Sequence, residues 1–223
     1  MTECIEYFEN DFDSSISEKI KVQNAPYVAY SSSEDEVIYT IAPNYLYFEA
    51  LSEPVYIGFN KSGVTVEYSL DKVTWAAFTS ASTVEIQSGK RLYIRGLNPN
   101  GFSIGSGGFI SSGGTFNLGG NIMTLIDYEN PPSTSMVGSF MYLFENSNVV
   151  DASKLLLPCT YLTERCYYSM FKGCKYLTEA PVLPATNLAK SCYAYMFSLC
   201  FGLRVAPELP SLNPYESCYR FMF

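Results

Sequence analysis

One feature limits what this chain can fold into more than any other: it repeats. Cys166, Cys192 and Cys218 are spaced by 26 and 26, and each is followed by tyrosine (Tyr167, Tyr193, Tyr219). Four and five places after each cysteine come Met170 and Phe171, Met196 and Phe197, and Met222 and Phe223. Cys174 and Cys200, Leu177 and Leu203, the Ala-Pro pairs at 180 and 206, and the Leu-Pro pairs at 183 and 209 keep the same interval. A degraded earlier copy covers 139–144, and its Ser139 precedes Cys166 by 27 rather than 26. A unit this short cannot bury its apolar face alone, but stacked units can. A period of this length belongs to repeats in which each unit is one strand plus one helical segment.

The repeats can be read residue by residue. Leu162, Cys166, Met170 and Cys174 step by four, as do Leu188, Cys192, Met196 and Cys200, which predicts one face of a helix in each unit. Thr160 and Thr186 would cap these helices and Gly202 would stop one. The short strands would be 177–183 and 203–209, irregular at Pro181 and Pro207, which lack an N–H. The cysteines read first as small buried hydrophobes; disulfides and a metal site are the weaker readings. The sequence ends at Phe223, just past the Met-Phe of a fourth copy, so either more chain or a partner is expected to cover that end.

Ahead of the repeats, residues 43–130 form an expected β-rich domain. Runs at 45–50, 55–59, 64–68, 83–86 and 91–95 are β-branched and aromatic, separated by turn residues, and suggest a small antiparallel sandwich or barrel. The single tryptophan, Trp75, is expected as a core anchor. The segment 101–120 carries eight of the fifteen glycines and reads as hairpin turns or a β-arm, since no helix follows it to make a phosphate loop. Residues 131–138 read as a linker. The acidic segment 1–42 suggests two short strands that need another surface to pack on. Tyr27, Val28, Tyr30, Val37 and Tyr39 are the apolar candidates for docking there. The expected fold class is therefore α+β and multi-domain: docking segment, antiparallel β-sandwich or barrel, then a leucine-rich-repeat solenoid over 139–223, its units repeating at the cysteine interval.

Composition narrows the chemistry. There is no histidine, which removes Ser-His-Asp and Cys-His nucleophile systems and His-containing zinc sites. Residues 1–40 hold nine acids and two bases, a net of −7, while the whole chain carries −8. An acidic chain with a near-neutral body repels phosphate backbones, so nucleic acid is not an expected partner. No run reaches the length of a membrane span, and the acidic start has no apolar segment of a secretory signal. A chain made in a cytoplasm, with no visible export route, is expected. Glu164, Glu179 and Glu208 are available for carboxylate chemistry, but no pair stands out as a glycosidase would require.

The pattern Cys-Tyr-x-x-Met-Phe, then x-x-Cys-x-x-Leu-x-x-Ala-Pro-x-Leu-Pro, resembles the BspA-like leucine-rich repeats common in Bacteroidales proteins and their phages. The copy from Ser211 departs from it. The stretch around 24–39 is similar to N-terminal segments of phage structural proteins from the same bacteria. These resemblances imply a structural virion appendage such as a tail fibre, assembled in the bacterial cytoplasm and attaching to a host glycan or protein. Other virion proteins and copies of itself would be its partners. The alternative is a bacterial cell-surface adhesin. No enzyme activity and no cofactor are expected. Positions that change between units, rather than repeating, are candidates for ligand contact, and Tyr168, Tyr195 and Arg220 are the chosen ones.

Overall fold

The structure is a computed structural model and describes residues 28–33, 36–40, 44–102, 108–135, 137–209 and 215–223. The chain divides into two compact units, Met1–Asn44 and Tyr45–Phe223. In the first, strands β1 (Val28–Ser33) and β2 (Glu36–Thr40) pair as an antiparallel hairpin, irregular between Ala29 and Ser32.

The second unit begins with two sheets. Strands β3 (Leu46–Ala50), β5 (Val66–Ser69), β6 (Ala76–Ala77), β8 (Arg91–Gly96), β10 (Phe116–Asn121) and β11 (Val149–Leu156) make one. Its order is β11-β10-β3-β8-β5-β6, antiparallel except for the parallel pair β10 and β11. Strands β7 (Thr83–Ile86), β4 (Val55–Phe59) and β9 (Phe109–Gly113) make the other, with β4 central. Alternation places Leu92 and Ile94 of β8, Val55 and Ile57 of β4, and Ile86 of β7 inside, all with no exposed surface. A single 3₁₀ turn, Ile122–Leu125, follows β10 and is capped by the Asn121 side chain, which accepts from the Met123 N–H at 2.9 Å.

From 137 onward the described residues form no helix. The described residues are 2% helical and 31% strand, and the expected α+β solenoid of strand-helix units is not what the repeats build. Each copy instead runs as overlapping four-residue turns, and the copies stack as rungs. Within a rung, alternate N–H groups bond back three residues, as from Tyr168 to Arg165 and from Met170 to Tyr167, at 3.2 Å. The intervening N–H groups bond forward to the next rung: Tyr167 to Cys192, Ser169 to Ala194 and Phe171 to Met196, at 2.9–3.0 Å. Rungs one to two and three to four repeat the scheme, as in Phe140 to Cys166 and Tyr193 to Cys218.

The physical reason lies in the step of four. An α-helix turns 3.6 residues, so a strict four-residue stripe drifts about 40° per step around it. Consecutive turns with the same four-residue period keep the stripe in line. Each second turn requires a left-handed residue, and positive φ recurs every fourth position: Arg165, Ser169 and Gly173, then Ser191, Tyr195 and Leu199. A helix would also satisfy its own backbone, whereas here half of the N–H groups hold the next rung. The strands expected at 177–183 and 203–209 are likewise absent; a single parallel bridge joins Asp151 to Glu179.

Stacking in register aligns the aromatic rings into columns. Phe140, Tyr167, Tyr193 and Tyr219 follow one another at 5.8, 5.7 and 6.0 Å, with planes within 14° of parallel. Phe144, Phe171, Phe197 and Phe223 form a second column at 5.4, 5.7 and 6.0 Å, with planes within 22° of parallel. Both columns grow out of the β domain, through Phe102 against Phe140 and Phe109 against Phe144. The Phe109 N–H bonds the Leu143 carbonyl at 2.8 Å, and a Cβ on Gly108 would overlap the Leu143 backbone, so only glycine allows this approach. The β domain thus closes one end of the stack, and one continuous core runs through both. Among the described residues no helix is long and apolar enough to cross a membrane.

Candidate functional site

A third aromatic column lies outside the core. Tyr142, Tyr168, Tyr195 and Phe221 contact each other in turn, with ring centres 5.6, 5.4 and 5.4 Å apart. The three tyrosines are half-buried and Phe221 is exposed. The column is not built from one sequence position. Tyr142, Ser169, Tyr195 and Phe221 are the equivalent left-handed residues of the four rungs. In the second rung the tyrosine sits one residue earlier, at Tyr168, and a small Ser169 follows it; in the third, Ala194 precedes Tyr195. Ser169 and Ala194 are each 1% exposed. Each of these two rungs therefore pairs one ring with one small residue, and the order can swap while the stripe of rings stays unbroken. The variable positions do not all face solvent: these two belong to the core.

Beside this stripe runs a groove of about 300 Å³, lined by Met141, Tyr142, Arg165, Tyr168, Ser191, Ala194, Tyr195 and Arg220. The structure brings together all three residues singled out from the sequence, Tyr168, Tyr195 and Arg220. It adds Tyr142, Arg165 and Ser191. Arg165 and Ser191 share the first left-handed position of their rungs, so their side chains leave the stack on the same side. Arg165 Nε lies 3.5 Å from Glu164 Oε1, both side chains about half exposed. The Arg220 guanidinium lies over the Phe221 ring at 5.2 Å. Burial pushes the Tyr142 hydroxyl above its ordinary pKa, helped by neighbouring Tyr168 and Glu145.

The other polar residues of the stack serve its interior. Cys159, Cys166, Cys174, Cys192, Cys200 and Cys218 are buried free thiols. Cys174 Sγ donates to the Phe144 carbonyl and Cys200 Sγ to the Phe171 carbonyl, each at 3.0 Å, so thiols also tie rung to rung. Burial raises Cys159 to about 11 and Cys192 to about 12, and raises Cys166 further. At neutral pH these are thiols rather than thiolates, and the thiolate is the reactive form.

Trp75 is not in the core. It is half-buried on the six-stranded sheet, where Arg95 lies 4.1 Å over its ring and 4.3 Å over Tyr128, with Glu67 2.7 Å from the guanidinium. Arg91 repeats the motif over Tyr47, at 4.3 Å, with Glu49 at 3.2 Å. A hollow of about 510 Å³ nearby mixes Glu49, Glu85, Lys90 and Arg91, so it presents no single charge.

For the N-terminal docking candidates, Val28 and Tyr30 fall on β1 and Val37 and Tyr39 on β2, where Tyr39 pairs with Ala29 and Val37 with Ser32. Tyr27 lies outside the described residues. Compared with known proteins, the chain matches no family model, no curated protein and no solved structure.

Proposed function

We propose that this chain is a non-enzymatic attachment protein of a bacteriophage virion, held by its N-terminal unit to other virion proteins as a homo-oligomer. Its stacked turns meet the host surface. The observation that carries the reading is the groove beside the unbroken tyrosine stripe, where Tyr142, Tyr168, Tyr195, Arg165 and Arg220 converge from all four rungs. Half-exposed tyrosines and arginines are the residue types that anchor interfaces. The likeness of the repeats to BspA-like sequences, and of the N-terminal stretch to phage structural proteins, supports placing the chain on a virion. A bacterial surface adhesin would use the same groove and is the second reading.

The test has two arms. Fluorescently labelled full-length chain should bind cells of the host and lose that binding in the R165A/R220A/Y195A variant. Deleting residues 1–44 should leave cell binding intact and abolish incorporation into virions. Binding unchanged in the triple variant removes the groove from consideration, and normal incorporation of the truncated chain removes the anchor.

A further inference from the structure

The groove's charge and spacing go further than attachment in general. Resting on the reading above, we propose that its ligand is an acidic polysaccharide, with sugar rings laid along the tyrosine stripe and carboxylates or sulfates held by Arg165 and Arg220.

Among the described residues, the charged side chains lining the groove are two arginines and no carboxylate, in a chain whose net charge is −8. Arg165 has Glu164 for a neighbour, but at 3.5 Å and half exposed this pair is screened and weak. A guanidinium has five N–H donors in a planar fork, so a second carboxylate can be taken at little loss. Arg220 lies over the Phe221 ring at 5.2 Å, a contact that uses none of its N–H donors. Tyr142, Tyr168, Tyr195 and Ser191 add hydroxyls beside apolar ring surface, the mixture that a sugar's hydroxyls and C–H faces require.

Spacing separates a glycan from a peptide. The rings recur at 5.4–5.6 Å, one to a rung. That step is close to the length of one pyranose with its glycosidic oxygen, so a polysaccharide can offer one sugar per rung. An extended peptide presents same-face side chains about every 6.6 Å, from a rise of about 3.3 Å per residue. Across three steps it falls out of register with the stripe, while a sugar chain stays in.

The experiment uses the full chain and four acidic probes, polygalacturonate, alginate, hyaluronan and heparin, beside fully methyl-esterified polygalacturonate and pullulan as neutral controls. Affinity electrophoresis should show at least one acidic probe bound at least tenfold more tightly than both controls. That binding should weaken at least tenfold in R165Q/R220Q and fall as salt rises from 50 to 500 mM, because exposed charges are screened. Y195A should weaken it while leaving the salt dependence in place. Circular dichroism confirms that each variant is folded. No preference for acidic over neutral probes, or a preference that R165Q/R220Q leaves intact, overturns the acidic ligand. If the triple variant still loses host-cell binding in that case, the attachment reading stands alone; if cell binding is untouched as well, both fall.

Discussion

Three variants at two equivalent positions separate a turn ladder from a helix, because the two structures rank glycine and alanine there in opposite orders. Gly173 and Leu199 hold equivalent places in the second and third rungs, and both are left-handed, with φ of 75° and 62°. Leu199 is about half exposed. An L-residue in the left-handed region loses about 1–2 kcal/mol, and glycine escapes that loss. Glycine in turn loses about 0.5–1 kcal/mol more chain entropy than alanine on folding. At position 199, L199G should therefore be more stable than L199A by about 0.5–1 kcal/mol, the two having lost the same packing beyond Cβ. On a helix the order reverses, because glycine is about 1 kcal/mol worse than alanine. Gly173→Ala carries the same left-handed loss, and its new Cβ would overlap Asn146 Oδ1, so it should lower stability by about 1–2 kcal/mol. On a helix it would raise stability. Urea unfolding followed by far-ultraviolet circular dichroism measures all three midpoints. L199A more stable than L199G, together with G173A more stable than the parent, would refute the ladder.

Three further outcomes follow from the packing and the charges. Phe171 is fully buried between Phe144 and Phe197, so Phe171→Ala should lower unfolding stability by about 3–5 kcal/mol and loosen the rungs on both sides. Native protein at pH 8 should resist iodoacetamide at Cys159, Cys166 and Cys192, whose thiols are held protonated by burial, and react there fully in urea; mass spectrometry reads both. Asp71 accepts the Thr74 and Val73 N–H groups at 2.7 and 2.8 Å, which hold its pKa down to about 2 from 3.8. The folded state then binds fewer protons than the unfolded one between those values, so this contribution is present above pH 4 and lost toward pH 2. Acid titrations of parent and D71N should diverge in that window, and parallel curves would count against it.

What the sequence shows, and what it hides, follows from local physics. Strands β3, β4, β7 and β8 are legible because runs of Tyr, Phe, Val and Ile stand between turn signals; β4, β7 and β8 alternate buried with more exposed residues, while β3 is buried nearly throughout. Strands β9 and β10 are obscured by Gly113, Gly114, Gly119 and Gly120, which read as hairpin turns or a β-arm, although β10 pairs on both sides within the sheet. Strand β11 falls between the first repeat copy and the second, so a boundary drawn by composition cuts the sheet it belongs to. The repeat itself is plain, but its conformation is not. Cys192, Met196 and Cys200 span only two steps of four, too few for the drift on a helix to exclude a helical face, and the forward hydrogen bonds of a stacked neighbour decide for the turns. Comparing units picks out Tyr168, Tyr195 and Arg220. It passes over Tyr142, because the first copy is degraded and its offset is 27 where the later ones keep 26. Arg165 escapes because an ordinary solvated arginine before the Cys-Tyr pair gives no hint of a left-handed turn.

The ladder has a direction. Between the stacked turns, each linking N–H points toward the later copy and each linking carbonyl toward the earlier one, as in Ser169 to Ala194 and Tyr195 to Arg220. Along the turns the peptide units that link rungs are therefore aligned head to tail, much as they are along a helix axis, and their dipoles add, while at the bridges beside them the Asn187 and Thr178 N–H groups point back to the Thr160 and Val150 carbonyls. Partial negative charge gathers where the β domain closes the stack, and partial positive charge gathers at the fourth rung. There Ser217 and Phe221 occupy the donor positions held by Ser191 and Tyr195 one rung before. Two stacks brought together by their fourth rungs would oppose donor to donor. Whatever meets that face, another rung or another molecule, is selected for acceptors: carbonyl or carboxylate oxygens at the spacing of alternate residues. The stack thus extends in one sense only, and it distinguishes its two ends before any side chain is consulted.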